Sequence, residues 1–211
     1  LEAGDAPIGA ADMPFRVAGG AGEVAMTVRA GKSAFIQRGT GNLPPNGGDI
    51  VIGEIFTGGA LRLHNFEGAL RAGSEADDIV AASVDLQAAG RIGDLPSDGG
   101  LDRPIRLSLS RDTARSRLVA EDGIVNAHVV ALRKADGAAT DTSGDMVLGR
   151  AQGSTVRLRT DGDLRLSGDT QVLNGEEVQT LPAITAVGAG AVTLDVVGRV
   201  LDDGADAPAG T

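Results

Sequence analysis

The chain has 211 residues, of which 32 are glycine and none is cysteine, tryptophan or tyrosine. This composition suits one or two ordinary domains or one elongated stack, and it excludes disulfides and thiolate metal sites. A formal net charge of −10 with a sequence pI of 4.6 argues against a nucleic-acid binder, which needs a basic face for phosphates.

The opening residues 1–15 contain neither the basic nor the apolar region of a signal peptide. No apolar run in the sequence approaches the roughly 20 residues that a membrane-spanning helix needs. Because the chain also begins without Met, we expect it to be a piece of a longer protein.

Short runs of alternating apolar and polar residues follow one another along the chain. Each run has only three to five residues and is bounded by Gly, Asp or Asn, which is typical of half-buried β-strands separated by turns. We predict strands over residues 24–28, 61–63, 105–109, 156–159, 164–166 and 192–196.

The segment 77–90 fits two interpretations. It resembles a capped helix, with Ile79, Ala82 and Leu86 on one face. Its counterpart in the repeat described below, residues 183–198, is interrupted by Gly and rich in β-branched residues, which disfavour a helix. We therefore predict strands in both segments.

Two copies of a long-period repeat are visible. "GDIVIG" at 48–53 returns as "GDMVLG" at 144–149, and "GGALRLHNFEGALRAG" at 58–73 corresponds to "GSTVRLRTDGDLRLSG" at 153–168. Landmarks that keep their order through both copies are characteristic of repeat architectures.

The repeat sets the predicted domain organisation. Further matches extend both copies, since residues 13–17 correspond to 103–109 and residues 21–26 correspond to 121–126. We therefore predict one segment, 1–211, that contains two repeats at approximately 8–91 and 92–199. Extra length in the second copy includes 95–102 and 174–182, which we predict to be loops.

Many short strands fit a sandwich, an up-and-down barrel or a solenoid. Sandwiches usually have longer strands and aromatic packing, whereas a solenoid stacks small aliphatic side chains in ladders and turns at Gly and Asp corners. The sequence therefore predicts an all-β fold, a β-solenoid of short Gly- and Asp-bounded strands.

The repeat words resemble those of a known group. "VDLQAAGRIGD", "RPIRLSL", "AEDGIV", "GDMVLG" and "VRLRTDGDLRL" are similar to the repeat region of large filamentous-haemagglutinin-like bacterial adhesins. There, a phrase L-x-A-x-G-x-I-G precedes a loop, which is followed by P-[IL]-x-[VIL] and successive Gly-bounded strands. The resemblance spans nearly all of residues 1–204.

The resemblance implies a right-handed parallel β-helix that forms the shaft of a secreted or surface-attached fibre, outside the bacterial cell. It also implies neighbouring repeats of the same long chain as partners, and export through an outer-membrane protein. Self-association or a host-cell surface ligand would be the further partners of such a shaft.

Two motifs resemble phosphate or calcium sites. "RAGKS" at 29–33 is half of a P-loop, but the pattern needs Gly at position 26, where Met26 stands. "GGAGEV" at 19–24 approaches a calcium-binding nonapeptide, but Val24 occupies the Asp position. We interpret both as turns.

The remaining polar candidates are acidic pairs, two histidines and a set of arginines. The acidic residues at 77–78, 202–203 and 141–145 could hold a hard cation, although solvated corners are commoner. His64 and His128 have no neighbouring Cys or His, so a zinc site is not expected. Five arginines at outward strand positions predict a solubilising face or, alternatively, a lateral contact between fibres: Arg62, Arg106, Arg157, Arg159 and Arg165.

No catalytic, cofactor-binding or metal residue is predicted, since no GxSxG elbow or other catalytic motif occurs. The leading hypothesis is a non-enzymatic shaft segment of an adhesin or fibre protein that mediates adhesion or extracellular assembly. The alternatives are a carbohydrate-active β-helix enzyme, supported by fold analogy alone, and a surface module stabilised by Ca²⁺.

Overall fold

The computed structural model describes residues 1–40, 47–74, 78–95, 102–110, 115–131, 143–173 and 176–202. Within these residues the fold is all-β and contains no helix. The predicted loop 95–102, the acidic pairs at 77–78 and 202–203 and the acidic cluster at 141–145 lie partly outside the described ranges.

The described residues form nineteen strands. In chain order they are β1 (Phe15–Val17), β2 (Val24–Ala30), β3 (Ala34–Arg38), β4 (Ile50–Thr57), β5 (Ala60–Asn65), β6 (Leu70–Ala72), β7 (Asp78–Ala81), β8 (Ser83–Ala88), β9 (Ile105–Leu109), β10 (Arg115–Ala120), β11 (Val125–Val129), β12 (Met146–Gly153), β13 (Val156–Thr160), β14 (Leu164–Leu166), β15 (Asp169–Leu173), β16 (Glu176–Leu181), β17 (Ile184–Ala186), β18 (Val192–Val196) and β19 (Val200–Asp202).

Two large parallel sheets carry most of these strands. The nine-stranded sheet has the order β1-β3-β5-β8-β10-β12-β14-β19, with β17 beside β12. The eight-stranded sheet has the order β18-β13-β11-β9-β7-β4-β2, with β6 beside β4. In each sheet the strand order follows the chain order, so each pass of the chain lies beside the previous pass.

A third sheet was not expected. β15 and β16 pair antiparallel as a two-stranded sheet, so much of the predicted loop 174–182 is strand. The sequence carries a hairpin signal here, because Asn-Gly at 174–175 separates the two runs.

All the predicted strands are confirmed. β9, β14 and β18 have the predicted bounds 105–109, 164–166 and 192–196, and the other three runs lie within β2, β5 and β13. The segment 77–90 contains β7 and β8, so the strand interpretation was correct there. The strand prediction for 183–198, which rested on its glycine and β-branched residues, is confirmed as well, because the segment contains β17 and β18.

The core consists of inward side chains that meet their counterparts on the next strand of the same sheet. Alternation puts every second residue inside. The parallel register aligns equivalent inward residues of successive strands in rows, and we call each row a rank. In the eight-stranded sheet one such rank is Val28, Ile55, Ile79, Leu107, Val129, Thr160 and Val196. In the nine-stranded sheet the corresponding rank is Phe15, Ile36, Leu63, Leu86, Leu118, Ala151 and Ile184.

Burial is complete in the middle of these ranks and incomplete at the outermost strands, where Phe15 of β1 is 42% exposed. Leu107 and Leu118 are each 0% exposed, whereas Val192 and Leu194 of β18 are 47% and 37% exposed and Val200 of β19 is 52% exposed. The stack therefore ends, within the described residues, on an uncovered apolar surface.

The repeated word "GD" has the same role in both copies. Asp49 Oδ1 accepts a hydrogen bond of 2.8 Å from the backbone N–H of Ala69, and Asp145 Oδ1 accepts one of 2.6 Å from that of Asp163. In each case the acceptor lies one pass of the chain before the donor, so the aspartate ties two successive corners together.

Candidate functional site

A histidine on the outward face of the eight-stranded sheet is held by a carboxylate. β11 places His128 with its ring Nε2 2.9 Å from Asp161 Oδ1, and Asp161 Oδ2 accepts a hydrogen bond of 3.1 Å from the backbone N–H of Ala131. Partial burial opposes ionisation of Asp161. The hydrogen bonds from His128 and Ala131 and the charges of His128 and Arg106 outweigh it and hold the pKa of Asp161 below its ordinary value.

A second carboxylate near His128, that of Asp102, accepts hydrogen bonds from two arginines. Asp102 Oδ2 accepts hydrogen bonds from Arg157 Nη1 at 3.1 Å and Arg159 Nη2 at 2.5 Å, and Asp102 Oδ1 accepts one from Asn126 Nδ2 at 2.9 Å. Burial opposes ionisation here too, but the bonds from Arg159 and Asn126 and the charges of both arginines lower the pKa of Asp102. Asn126 itself is 0% exposed.

Of these groups, Asp102, Arg106 and His128 border a hollow of about 250 Å³. Its lining is Ser74, Asp102, Arg103, Pro104, Arg106 and His128. Within the described residues the hollow pairs cationic and anionic groups, and most of its side chains are already engaged. It could orient a polar ligand against the side chains of Asp102 and His128.

The other histidine occupies an equivalent setting on the nine-stranded sheet. His64 Nε2 lies 3.3 Å from Asp85 Oδ2, Arg62 Nε lies 3.2 Å from the same oxygen, and Arg117 Nη1 lies 3.9 Å from it. Burial opposes ionisation of Asp85, but the hydrogen bond from His64 and the three nearby positive charges lower its pKa. Both histidines are therefore partners of a carboxylate, Asp85 within β8 and Asp161 directly after β13.

The five outward arginines do not form a single ladder. Arg62 and Arg165 belong to β5 and β14 of the nine-stranded sheet, while Arg106, Arg157 and Arg159 belong to β9 and β13 of the eight-stranded sheet. Their positions at outward strand sites were predicted correctly, but the sequence does not indicate which sheet receives which strand.

A buried arginine was missed by the sequence reasoning. Arg38 is 1% exposed, and its guanidinium donates to the carbonyl oxygens of Asp49 at 2.8 Å, Gly20 at 2.7 Å and Gly22 at 2.6 Å. Its Nε lies 3.3 Å from Glu67 Oε2. The parity of β3 was the available signal, because Arg38 shares the inward face with Ala34 and Ile36.

The phosphate-loop and calcium-loop fragments are turns. Residues 29–33 run from the end of β2 into a bend that leads to β3, and Ser33 Oγ accepts a hydrogen bond of 3.1 Å from the N–H of Ala60. In the second fragment the N–H of Gly20 donates to Glu67 Oε2 at 3.0 Å. Neither fragment leads into a helix within the described residues, so neither has the helix N-terminus that holds a phosphate.

No group of three or more His, Cys, Asp or Glu side chains with metal-binding geometry occurs among the described residues. The carboxylate of Asp145, in the one acidic corner that is largely described, accepts hydrogen bonds from Ser143 Oγ at 2.5 Å and from the N–H of Asp163 at 2.6 Å. Its oxygens therefore serve the corner itself.

A longer groove of about 510 Å³ follows the glycine corners. Its wall includes Gly68, Gly90 and Gly123 together with the charged side chains of Glu67 and Arg91. A Cβ at Gly123 would lie 2.7 Å from the backbone of Arg91, and one at Gly68 would lie 2.8 Å from that of Gly48. The groove exists because close stacking of the corners excludes side chains there.

Comparison with known proteins gives no relative. No family model, no curated protein and no solved structure matches the chain. Among the described residues there is no helix of the length and apolarity required to cross a bilayer.

Proposed function

We propose that the chain is a right-handed parallel β-helix and serves as a non-enzymatic shaft segment of a large secreted or cell-surface adhesin or fibre protein of bacteria. The observation that carries this proposal is the strand order, since both parallel sheets add strands in chain order. A chain that returns repeatedly to two parallel sheets in this way winds as a coil. Parallel crossovers are right-handed in about 98% of cases, which supports the proposed hand.

The physical basis of the shaft is mutual covering of successive coils. Each inward rank buries one aliphatic side chain against the next, and Ile55, Ile79 and Leu107 are all 0% exposed. Parallel strands lie about 4.8 Å apart, so each added coil lengthens the stack by that amount without changing its cross-section. Reach is then proportional to the number of coils.

The uncovered apolar side chains of the last strands, β18 and β19, support the proposal that the partner is a neighbouring repeat of the same long chain. Val192, Leu194 and Val200 lie 37–52% exposed at the free edges of β18 and β19. A further coil with aliphatic residues at matching positions would cover them and pair both strands. The proposed location is outside the bacterial cell, with export through an outer-membrane partner as the family resemblance implies.

Mechanical unfolding tests this proposal. The chain is pulled between its two ends by optical tweezers or atomic force microscopy. A coil from Ile79 to Leu107 or from Leu107 to Val129 has 28 or 22 residues, so stepwise unwinding should release about 90 Å of contour length per step. Rupture of the whole chain in one event would contradict a shaft made of separately removable coils.

A carbohydrate-active enzyme is the second candidate, and the pairing of His128 with Asp161 beside the hollow favours it. Incubation with a panel of acidic and neutral polysaccharides, followed by assays for reducing ends and unsaturated products, tests this candidate. Product formation that His128→Ala abolishes would support the enzyme and refute the non-enzymatic shaft. No product on any substrate would leave the shaft as the better account.

A further inference from the structure

A two-stranded hairpin interrupts the nine-stranded sheet. β15 and β16 pair antiparallel with each other, and among the described residues neither strand pairs with any other. The chain enters this hairpin from β14 and leaves it into β17, and both of those strands lie beside β12, at 146–148 and 151–153. The inserted hairpin, as we call β15 and β16 together, is therefore attached to the stack opposite Gly149 and Arg150.

The inserted hairpin leaves the stack on its outward side. The inward side chains that flank the point of insertion, Leu148 and Ala151 of β12, are each 0% exposed, as is Leu164 of β14. A close-packed interior has no space for two further strands. The hairpin consequently projects from the side of the stack.

The inserted hairpin has fewer strands than a stable sheet requires. A two-stranded hairpin alone is marginally stable in water, and it gains stability when further strands join it or when a helix packs on it. The described residues contain no helix, and every other strand among them belongs to one of the two large sheets. A strand from a second molecule would supply what the hairpin lacks.

The two outer edges of the hairpin differ. β16 begins with two glutamates, its register skips Val178 as a bulge, and Pro182, which has no N–H, follows its last residue. Charge, bulges and proline are the devices that protect an edge strand from further pairing. β15 has no skipped residue and no proline, and its one charged residue is Asp169. The open edge is therefore that of β15.

The edge of β15 is complementary to itself when two copies run antiparallel. A strand of five residues, Asp169–Leu173, pairs over its full length with its own copy only about its midpoint, Gln171. Asp169 then lies opposite Leu173 of the second copy, and Thr170 lies opposite Val172. A parallel pair in register would instead place the two copies of Asp169 opposite each other, and like charges at opposite positions destabilise a sheet.

We propose that β15 of the inserted hairpin pairs antiparallel with β15 of a second copy of this chain. The two hairpins then form one four-stranded sheet in the order β16-β15-β15-β16, which joins two stacks side by side. A two-fold pairing of this kind is closed, so it gives dimers and not open filaments. The proposal does not depend on the shaft function, because it needs only the inserted hairpin.

Sedimentation equilibrium of the full chain over a range of concentrations tests the proposal. An interface between two short strands is small, so we expect a weak, reversible dimer of twice the 21.2 kDa of one chain. Gln171→Lys and Gln171→Glu each place like charges opposite each other at the two-fold axis, and each should weaken the dimer at least about threefold. An equimolar mixture of the two variants pairs opposite charges there, so the mixed dimer should be at least about fivefold tighter than either variant alone.

The matched control is Gln179→Lys. Gln179 is the cross-strand partner of Gln171 within the hairpin, but it lies on β16, away from the proposed contact. This variant adds the same charge to the same hairpin and should change the dimer constant less than about twofold. Equal weakening by Gln179→Lys and Gln171→Lys would overturn the proposal.

Hydrogen exchange on the unaltered chain locates the contact independently of the variants. As the protein concentration rises, the amides of β15 should become more protected, while those of β18 and β19 should not change. The proposal is overturned by a chain that stays monomeric at every concentration or by a mixed dimer no tighter than the single variants. Protection that rises at β18 and β19 instead would also overturn it, since association would then use the end of the stack.

Discussion

Replacement of Arg38 by methionine should be among the most damaging single changes in this chain. Methionine keeps an apolar stem in the inward position but removes every donor. The carbonyl oxygens of Asp49, Gly20 and Gly22 then lose hydrogen bonds of 2.6–2.8 Å, and Glu67 loses a cation at 3.3 Å. Removal of one partner from a buried ion pair costs about 3–5 kcal/mol, so we expect Arg38→Met to lower the free energy of unfolding by about 4 kcal/mol.

Urea denaturation followed by far-ultraviolet circular dichroism measures this loss. Adding Glu67→Gln to Arg38→Met removes the uncompensated carboxylate, so it should restore about 1–2 kcal/mol. The matched control is Arg29→Met, whose partner is Glu54. Both side chains of that pair are more than half exposed, and the control should cost less than about 1 kcal/mol. Equal costs for Arg38→Met and Arg29→Met would refute the argument that the buried guanidinium holds the corner together.

Three further changes test packing, corner geometry and electrostatics. Leu107→Ala, at a fully buried position, should lower the free energy of unfolding by about 2–5 kcal/mol, whereas Leu194→Ala at the uncovered edge should lower it clearly less. Equal shifts in the urea midpoint of the two variants would contradict the stacking of ranks. Gly123→Ala would force a Cβ to 2.7 Å from neighbouring backbone and should cost about 1–3 kcal/mol, while Gly22→Ala, where a Cβ meets nothing within 4 Å, should be nearly neutral in the same assay. Asp161 has a lowered pKa in the fold, so its contribution is present above the ordinary aspartate value near 3.9 and is lost as the pH falls through the lower folded pKa. The difference in melting temperature between the wild type and Asp161→Asn should therefore shrink from pH 7 to pH 2, and a constant difference would contradict this.

Strand positions could be predicted from the sequence because alternation is a local property. Residues 105–109 read apolar-polar-apolar, and that pattern alone fixes which side chains of β9 face inward. The same parity would have found Arg38, had a charged residue on the inward face been taken as evidence of a buried partner.

Sheet membership could not be predicted, since it depends on how many strands and bends lie between two positions. Arg62 and Arg157 occupy matching words of the repeat, yet they lie in different sheets and bind different aspartates, Asp85 and Asp102. The words at 21–26 and 121–126 lead into β2 and β11, which share the eight-stranded sheet. The repeat bounds 8–91 and 92–199 stay a prediction.

The recurrence of "GD" at 48–49 and 144–145 has a local explanation. β4 follows the first copy in the eight-stranded sheet and β12 follows the second in the nine-stranded sheet. The shared sequence therefore does not determine which of the two sheets the following strand joins.

What the two copies share is a hydrogen bond to the next corner. Asp49 accepts from the N–H of Ala69 and Asp145 from that of Asp163. Each bond is charge-assisted and partly exposed, so Asp49→Ala and Asp145→Ala should each cost about 1–2 kcal/mol. Urea midpoints of the two variants should agree, although the sheets differ. If one variant were neutral while the other lost more than about 2 kcal/mol of unfolding free energy, the role of the aspartate would depend on the sheet in which it lies. The local explanation of the repeat would then be wrong.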